Sequence, residues 1–449
     1  MIPGSPRSTP SSLRLLFALG LAACGGDDDA ASASEGSSGP GSSTAAASGE
    51  ASGTTAAAST TEGGGAGSAG ETTSTGGDAG GDSGGSSSDP TGPVEPGCGD
   101  GVVDAGEACD DGDDDDFDGC KSDCTAVPLL TPPPLEWTYV EVEGTTCLNG
   151  KTAGFGINYN PRSTNVMIYL EGGGACFSDA CDFTAFNIPF VPPADGIFSR
   201  SNQKNPVREW TMVYVPYCTG DIHAGDHEAT LGGQLRFFRG YRNVTRFLEV
   251  LVPSLPTERV LLTGISAGGF GAAINAAQVA EAYGDAVELT VVDDSGPPLS
   301  NAVIPPCLQS IFREVWGLDG TILAACPECA ADDFATDLLA HVLDNYPSVR
   351  YALYSNTADQ IIRTYMGAGW GGGKHDQCEG FPTPVPILAY AGDLDAIRAE
   401  HLASISTFYL AGIGHTVLRV SFYITSVDGK SVPEWLAQVL DGQIIHVGP

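Results

Sequence analysis

The feature that most constrains the fold is a strand that turns directly into a helix near residue 266. An apolar run, RVLLT, leads into the residues GISAG at positions 264–268, and an Ala-rich helical pattern follows. A turn this sharp brings backbone segments so close that glycine is needed at Gly264 and Gly268, and it exposes the hydroxyl of Ser266. We therefore predict that Ser266 is a nucleophile. The alternative is an ordinary glycine-rich turn in a chain with 60 glycines.

The same strand belongs to a longer alternation of apolar strands and helices. Helical patterns cover Gly268–Tyr283 and Asp332–Asn345. Near-continuous apolar strands between helices favour an α/β domain with a mostly parallel sheet and helices on both faces. The strands predicted from the apolar runs are Asn165–Leu170, Thr211–Val215, Arg259–Thr263, Glu288–Val292, Val349–Tyr354 and Thr407–Leu410.

A second motif is the triple glycine at positions 172–174, which ends the strand NVMIYL. Glycines at a strand end allow bare backbone N–H groups to approach a ligand, as the oxyanion hole of a hydrolase requires. The competing interpretation is a dinucleotide phosphate loop, which needs the pattern GxGxxG at the start of a helix. The residues that follow, ACFSD, do not continue that pattern.

A serine nucleophile needs a histidine base and an acid that orients it. We favour His415, because two glycines place it in a tight loop after an apolar strand, and His375 is its rival. Asp359 follows a strand, and each candidate acid could equally be a strand-end turn or a helix cap. The remaining candidates are the histidines His341, His401 and His446 and the acids Asp293, Asp294 and Asp393.

The N-terminal quarter of the chain predicts export and tethering. Two arginines, a short apolar run and the residues LAAC suggest a lipoprotein signal peptide at 1–24 with Cys24 as the lipidated residue; an ordinary cleavage site is the alternative. Residues 25–96 are Gly, Ser, Ala, Thr and scattered acid, which predicts a disordered linker. The formal net charge of −36 disfavours nucleic-acid binding.

Cysteines predict a small disulfide-rich module at residues 97–125, ahead of the domain at 126–449. Without Cys24, 12 of the 13 cysteines remain, and export makes disulfides the expected state, with the pairing left open. The acidic run Asp113–Asp116 could bind Ca²⁺, but it lacks the ligand spacing of a calcium loop, so we favour a solvated acidic turn.

Several motifs together resemble the pectin acetylesterase and Notum family of carboxylesterases, across roughly residues 137–420. The resemblance implies an α/β-hydrolase-like fold and a triad of Ser266, Asp359 and His415. It also implies that the backbone N–H groups of Gly172, Gly173 and Ala267 form the oxyanion hole. The module at 97–125 resembles the Cys-rich repeats of myxobacterial surface proteins. The segments that carry the family resemblance are LEGGGAC at 170–176, YVPYCTGD at 214–221, GISAGG at 264–269 and DDSG at 293–296.

The resemblance predicts removal of an O-acyl group, with acetate on a polysaccharide such as pectin as the expected substrate. One departure is Ala175, where the family usually has an aromatic residue, so the acyl pocket should be larger or reshaped. Alternatives are a longer lipid-type acyl ester and a non-catalytic surface-binding protein. We expect no metal and no cofactor, and we assign His223 and His227 to a polar substrate-side loop rather than a metal site. We expect a monomer, secreted or anchored in the bacterial cell envelope through lipid on Cys24.

Overall fold

The computed structural model describes residues 97–179, 181, 190–329, 333–372, 377–378, 380–381 and 383–449. These residues belong to one compact unit. The signal peptide, Cys24, the linker at 25–96 and the rival base His375 lie outside the described residues, so the expectations for them stay predictions. Among the described residues, no helix combines the length and the apolar character that a membrane-spanning segment requires.

A nine-stranded sheet organises the chain, in the order β1-β2-β4-β3-β7-β8-β9-β12-β15. The first two strands join by antiparallel pairing, and every pairing from β4 to β15 is parallel. The strands are β1 (Trp137–Glu141), β2 (Gly154–Asn158), β3 (Asn165–Leu170), β4 (Thr211–Val215), β5 (His227–Leu231), β6 (Gln234–Phe238), β7 (Arg259–Ile265), β8 (Glu288–Asp294), β9 (Arg350–Asn356), β10 (Gly371–Gly372), β11 (Gly380–Phe381), β12 (Ile405–Leu410), β13 (Ser426–Val427), β14 (Lys430–Ser431) and β15 (His446–Val447).

Helices cover both faces of the sheet because alternate strand residues enter two separate cores. Ile168 and Leu262 join the core beneath α1–α4, α6 and α8, whereas Tyr169 and Leu261 join the core beneath α9. The predicted mostly parallel sheet with helices on both faces is therefore confirmed. The helices are α1 (Gly240–Ser254), α2 (Ala267–Ile274), α3 (Ala276–Tyr283), α4 (Pro306–Trp316), α5 (Ile322–Ala325), α6 (Phe334–Asn345), α7 (Gln360–Tyr365), α8 (Ile387–Glu400) and α9 (Val432–Leu440).

The helical pattern after the serine turn forms two helices instead of one. Asn275 interrupts it between α2 and α3, with φ −90° and ψ 6°. Its buried side-chain amide donates to the carbonyls of Gly271 at 2.7 Å and His223 at 3.0 Å. A side chain that binds the preceding turn and a loop distant in sequence competes with regular helix geometry, which accounts for the break.

All 12 remaining cysteines are paired. Two bridges lie within the predicted module at residues 97–125 and four lie further along the chain, and this use of cysteine suits an oxidising, extracytoplasmic compartment. The module packs on α1 through an ion pair between Lys121 and the buried Glu249, and Phe117 adds apolar contact with the first core. The pairs are Cys98–Cys124, Cys109–Cys120, Cys147–Cys218, Cys176–Cys181, Cys307–Cys378 and Cys326–Cys329.

Candidate active site

Ser266 lies in the turn between β7 and α2, at the carboxyl end of the parallel sheet. Its backbone has φ 56° and ψ −119°, a conformation that is strained for any residue except glycine and that concentrates at functional sites. The N–H groups of Gly269 and Phe270 donate to its carbonyl and begin the helix. Within the described part of the chain, the N–H of Ala267 donates to no protein atom, so it remains available beside the hydroxyl.

Close backbone packing explains the glycines around this turn. A Cβ on Gly268 would collide with the carbonyl of Leu170, and one on Gly264 would collide with the carbonyl of Gly268. A Cβ on Gly172 would lie 2.9 Å from the Cβ of Ser266. The triple glycine therefore lies directly against the serine, as the sequence motif predicts.

Asp359 and His415 meet at the same edge of the sheet. His415 Nδ1 lies 2.7 Å from Asp359 Oδ2; the carboxyl group is fully buried and the imidazole is 21% exposed. Because an ionised carboxylate only accepts hydrogen bonds, this pairing assigns the imidazole proton to Nδ1 and leaves a lone pair on Nε2. That is the tautomer a general base requires.

The second ring nitrogen of His415 has no partner among the described residues. Nε2 is buried and makes no hydrogen bond within the described part of the chain, so the Ser266 hydroxyl does not bond to it in this structure. Ser266 and His415 nevertheless both contact the residues where β8 ends. The N–H of Ser266 donates to the carbonyl of Asp294 at 2.8 Å. The hydroxyl of the following residue, Ser295, donates to the carbonyl of His415 at 2.7 Å. Hydrogen bonds between base and nucleophile often form only with substrate bound.

The rival acids and bases have other partners. Asp293 accepts from Gly296 N–H and Tyr351 OH, and Asp393 accepts from the backbone and hydroxyl of Ser300. Burial raises the pKa of Asp293 and of Asp294 to about 7. Among the histidines, His341 Nδ1 pairs with Glu328 at 2.5 Å and His446 Nδ1 lies 2.9 Å from Thr407 Oγ1. Asp359 is thus the candidate acid that meets His415.

The glycine loop is held by a polar network that the sequence motifs did not indicate. Glu171 Oε1 accepts from Gly172 N–H at 3.0 Å, and Oε2 accepts from Tyr214 OH at 2.9 Å and Arg419 Nη1 at 2.8 Å. Burial raises the pKa of Glu171. Gly172 must release this carboxylate before its N–H can donate to an oxyanion, whereas the N–H of Gly173 has no protein acceptor in the described chain.

The buried side chain of His223 contacts the backbone of Glu171, the residue before the triple glycine. Nε2 of His223 lies 3.0 Å from the carbonyl of Glu171. Because a carbonyl only accepts, Nε2 carries the proton, and burial lowers the pKa of His223 to about 4, which keeps it neutral. His227 is exposed and is the first residue of β5. The side chain of His223 therefore has a structural contact, which the sequence alone did not indicate, although its neighbour Ile222 lines both cavities beside the serine turn.

Two cavities with shared lining residues lie near the serine turn, and Ser266 itself lines the outer one. The outer cavity is lined by Ser266, Ala267, Gly174 and Ala175 together with apolar side chains. The deeper cavity has walls that are almost entirely apolar. Its lining comes from α2, α4 and α6, which supply residues such as Ala273, Phe312 and Leu338. The side chains that line both cavities are Ile222, Phe270, Phe312 and Met366.

Three groups of potential metal ligands occur outside this site in the described part of the chain, and two of them lie within residues 97–125: Glu107, Asp110 and Cys124, and Asp111, Asp113 and Asp118. Cys326, Glu328 and His341 bring donor atoms within 4.8 Å of one another. Cys326 is oxidised in a disulfide with Cys329, so it offers no thiolate to an ion. The expectation of no metal and no cofactor stays a prediction.

Comparisons with known proteins identify similar sequences. The sequence profile of a family described as Pectinacetylesterase matches residues 134–335. The chain is 32% identical to palmitoleoyl-protein carboxylesterase notum2 of Xenopus laevis over 34% of each protein. It is 33% identical to inactive palmitoleoyl-protein carboxylesterase notum1b of Danio rerio, over 19% of this chain and 69% of that relative.

A solved structure shows the same fold. The crystal structure of the Wnt deacylase Notum from Drosophila aligns with a TM-score of 0.53 at 21% identity, covering 69% of this chain and 95% of that one. At 21% sequence identity, this structural similarity shows a shared fold and does not by itself show a shared activity. In sequence, the chain spans about a third of the length of the notum2 relative.

Proposed function

Because the chain belongs to the pectinacetylesterase and Notum family of carboxylesterases, we propose that it hydrolyses a carboxylic ester with Ser266 as the nucleophile. The observation that carries this proposal is the 2.7 Å contact between His415 and Asp359 at the sheet edge that bears the strained serine. Ser266 Oγ attacks the ester carbonyl while His415 Nε2 takes its proton. That proton passes to the departing alkoxide, and water then hydrolyses the acyl-enzyme.

Negative charge on the carbonyl oxygen needs donors that already point toward it. Ala267 N–H begins a helix, where unpaired N–H groups and the helix dipole favour an anion. Gly173 N–H is the second donor, and Gly172 N–H joins once it leaves Glu171. These roles follow the predicted oxyanion hole at Gly172, Gly173 and Ala267.

The cavities bear on which acyl group is removed. The sequence predicts acetate on a polysaccharide, and an acetyl group needs only the outer cavity. The deeper apolar cavity favours a longer acyl chain, because its walls offer almost no polar groups and therefore suit a hydrocarbon tail. Ala175 leaves the outer cavity open where a larger side chain would narrow it. The names of the related carboxylesterases, which specify a palmitoleoyl group, support the same choice.

A series of p-nitrophenyl esters from acetate to palmitate tests both the role of Ser266 and the preferred length of the acyl chain. We expect the ratio kcat/KM to rise beyond acetate, and we expect Ser266→Ala to abolish hydrolysis and labelling by a fluorophosphonate. Ala273→Phe places a ring in the deeper cavity, so it should lower kcat/KM for long esters by about 100-fold and leave acetate unchanged.

Two results would contradict this function. If kcat/KM of the native enzyme is highest for the acetate ester, the substrate is an O-acetyl group and the preference for a long acyl chain is wrong. Absence of any covalent adduct at Ser266 would favour a non-catalytic surface-binding protein, a possibility that the inactive relative illustrates.

A further inference from the structure

Asp294, the last residue of β8, contacts both sides of the candidate active site. It is fully buried, and its backbone carbonyl accepts the N–H of Ser266 at 2.8 Å. Its side-chain Oδ2 accepts the N–H groups of Val417 and Leu418, each at 2.8 Å. One residue is therefore bonded to the turn that carries the nucleophile and to the loop that carries the base.

The residue after it completes the attachment. Ser295 has φ 68°, and its hydroxyl oxygen lies 2.7 Å from the carbonyl of His415 and 3.0 Å from Asp294 Oδ1. Asn356 Nδ2 also donates to the carbonyl of His415, at 2.9 Å. Asp359 orients the ring of His415, whereas Asp294, Ser295 and Asn356 fix the position of its backbone.

We propose that Asp294 is a positioning residue whose side chain holds the loop 415–418 at the distance from Ser266 that lets the imidazole reach the hydroxyl. This inference rests on the proposed function, because that distance matters only if His415 is the base. A misplacement of about 1 Å from productive geometry can cost about 100-fold in rate, so a buried hydrogen-bonded anchor has a direct kinetic consequence.

The Ser295 hydroxyl connects the carboxyl group of Asp294 to the loop that carries His415. It lies 3.0 Å from Asp294 Oδ1 and 2.7 Å from the carbonyl of His415, and it can donate its one proton to either acceptor. Burial raises the pKa of Asp294 to about 7, which agrees with a protonated form in mildly acidic solution. The titratable groups that face this carboxyl are His415, Asp293, Tyr169 and Tyr354.

The test compares Asp294→Ala, Asp294→Asn and a matched control, Asp293→Ala, with p-nitrophenyl acetate. Asp293 is equally buried but binds Gly296 and Tyr351 instead of the His415 loop. We expect Asp294→Ala to lower kcat per folded enzyme by about 100-fold with KM little changed. Asp294→Asn should restore most of that loss, because its carbonyl accepts both N–H groups and its NH₂ donates to Ser295. Asp293→Ala should lower the thermal midpoint but keep kcat.

Equal losses of kcat in Asp293→Ala and Asp294→Ala would overturn the inference, since the role would then be structural only. Failure of Asp294→Asn to restore kcat would overturn the hydrogen-bond account. If Asp294→Ala does not fold, Ser295→Ala replaces it, and it should lower kcat with KM unchanged; full activity in that variant also overturns the inference. Failure of the proposed function would be seen in a different measurement: the native protein would not hydrolyse the ester, or Ser266→Ala would hydrolyse it equally well.

Discussion

At the scale of single residues, Asp359 shows that one carboxylate can fill two roles. Oδ1 accepts the N–H groups of Ile361 and Ile362 and so caps α7, whereas Oδ2 meets His415 Nδ1. From sequence, the helix cap and the catalytic acid were competing interpretations of this position. The structure makes them compatible, because the two oxygens of a carboxylate accept hydrogen bonds in different directions.

Asp359→Asn separates the two roles. Asn caps a helix as well as Asp does, so the thermal midpoint should stay near that of the native protein. Its amide would donate to Nδ1 and impose the wrong imidazole tautomer, so kcat should fall by about 10,000-fold. Steady-state kinetics and thermal unfolding measure both effects. Asp359→Ala should also lose the cap, at about 1 kcal/mol. Activity of Asp359→Asn within tenfold of native would argue against Asp359 as the acid.

At the scale of elements, two strand ends form the site. The carboxyl ends of β3 and β7 are adjacent, since Leu170 pairs with Gly264, and each continues into a glycine-containing turn. That pairing brings the loop at 172–174 against Ser266. The absence of side chains at this contact gives the close approach of backbone that the proposed oxyanion hole requires.

Gly172→Ala tests this contact. The added Cβ would lie 2.9 Å from Ser266 Cβ and would also collide with the carbonyl of Ile265, so the loop must move away from the serine. Because oxyanion donors act only over hydrogen-bond distance, we expect kcat for p-nitrophenyl esters to fall by about 100-fold or more.

Gly392→Ala is the matched control. Gly392 lies inside α8, and a Cβ there meets no atom within 4 Å, so this change should raise stability by about 0.5–1 kcal/mol and leave activity unchanged. Equal activity of both variants would show that the loop does not contribute to catalysis.

At the scale of the whole molecule, the sheet separates two cores and buries several carboxyl groups. Asp221, Asp293 and Asp294 are fully buried, and burial raises the pKa of Asp221 to about 6 and of the other two to about 7. Each group binds a proton in the folded protein at pH values where the unfolded chain has lost it. Their contribution to stability therefore falls as the pH rises from about 4 to about 7.

Asp293→Asn should remove one such contribution. Asn is uncharged in both states, so the free energy of unfolding of the variant should improve relative to native as the pH rises, by at most about 1.4 kcal/mol per pH unit between pH 4 and 7. Denaturant unfolding at pH 5, 6, 7 and 8 measures the difference. A difference that stays constant with pH would show that Asp293 is ionised throughout this range.

The sequence by itself determined the local parts of this protein. The strand, sharp turn and helix around Ser266, the triple glycine after β3 and most predicted strands follow from contacts between residues a few positions apart, where sterics restrict the choice of residue. Only the tertiary structure decided which cysteines pair, which acid meets His415, what His223 contacts and which side chains line the apolar cavity. The physical reason is that these features join side chains far apart in sequence. Strand order and the packing of α2, α4 and α6 bring them together, and local residue patterns carry little information about either.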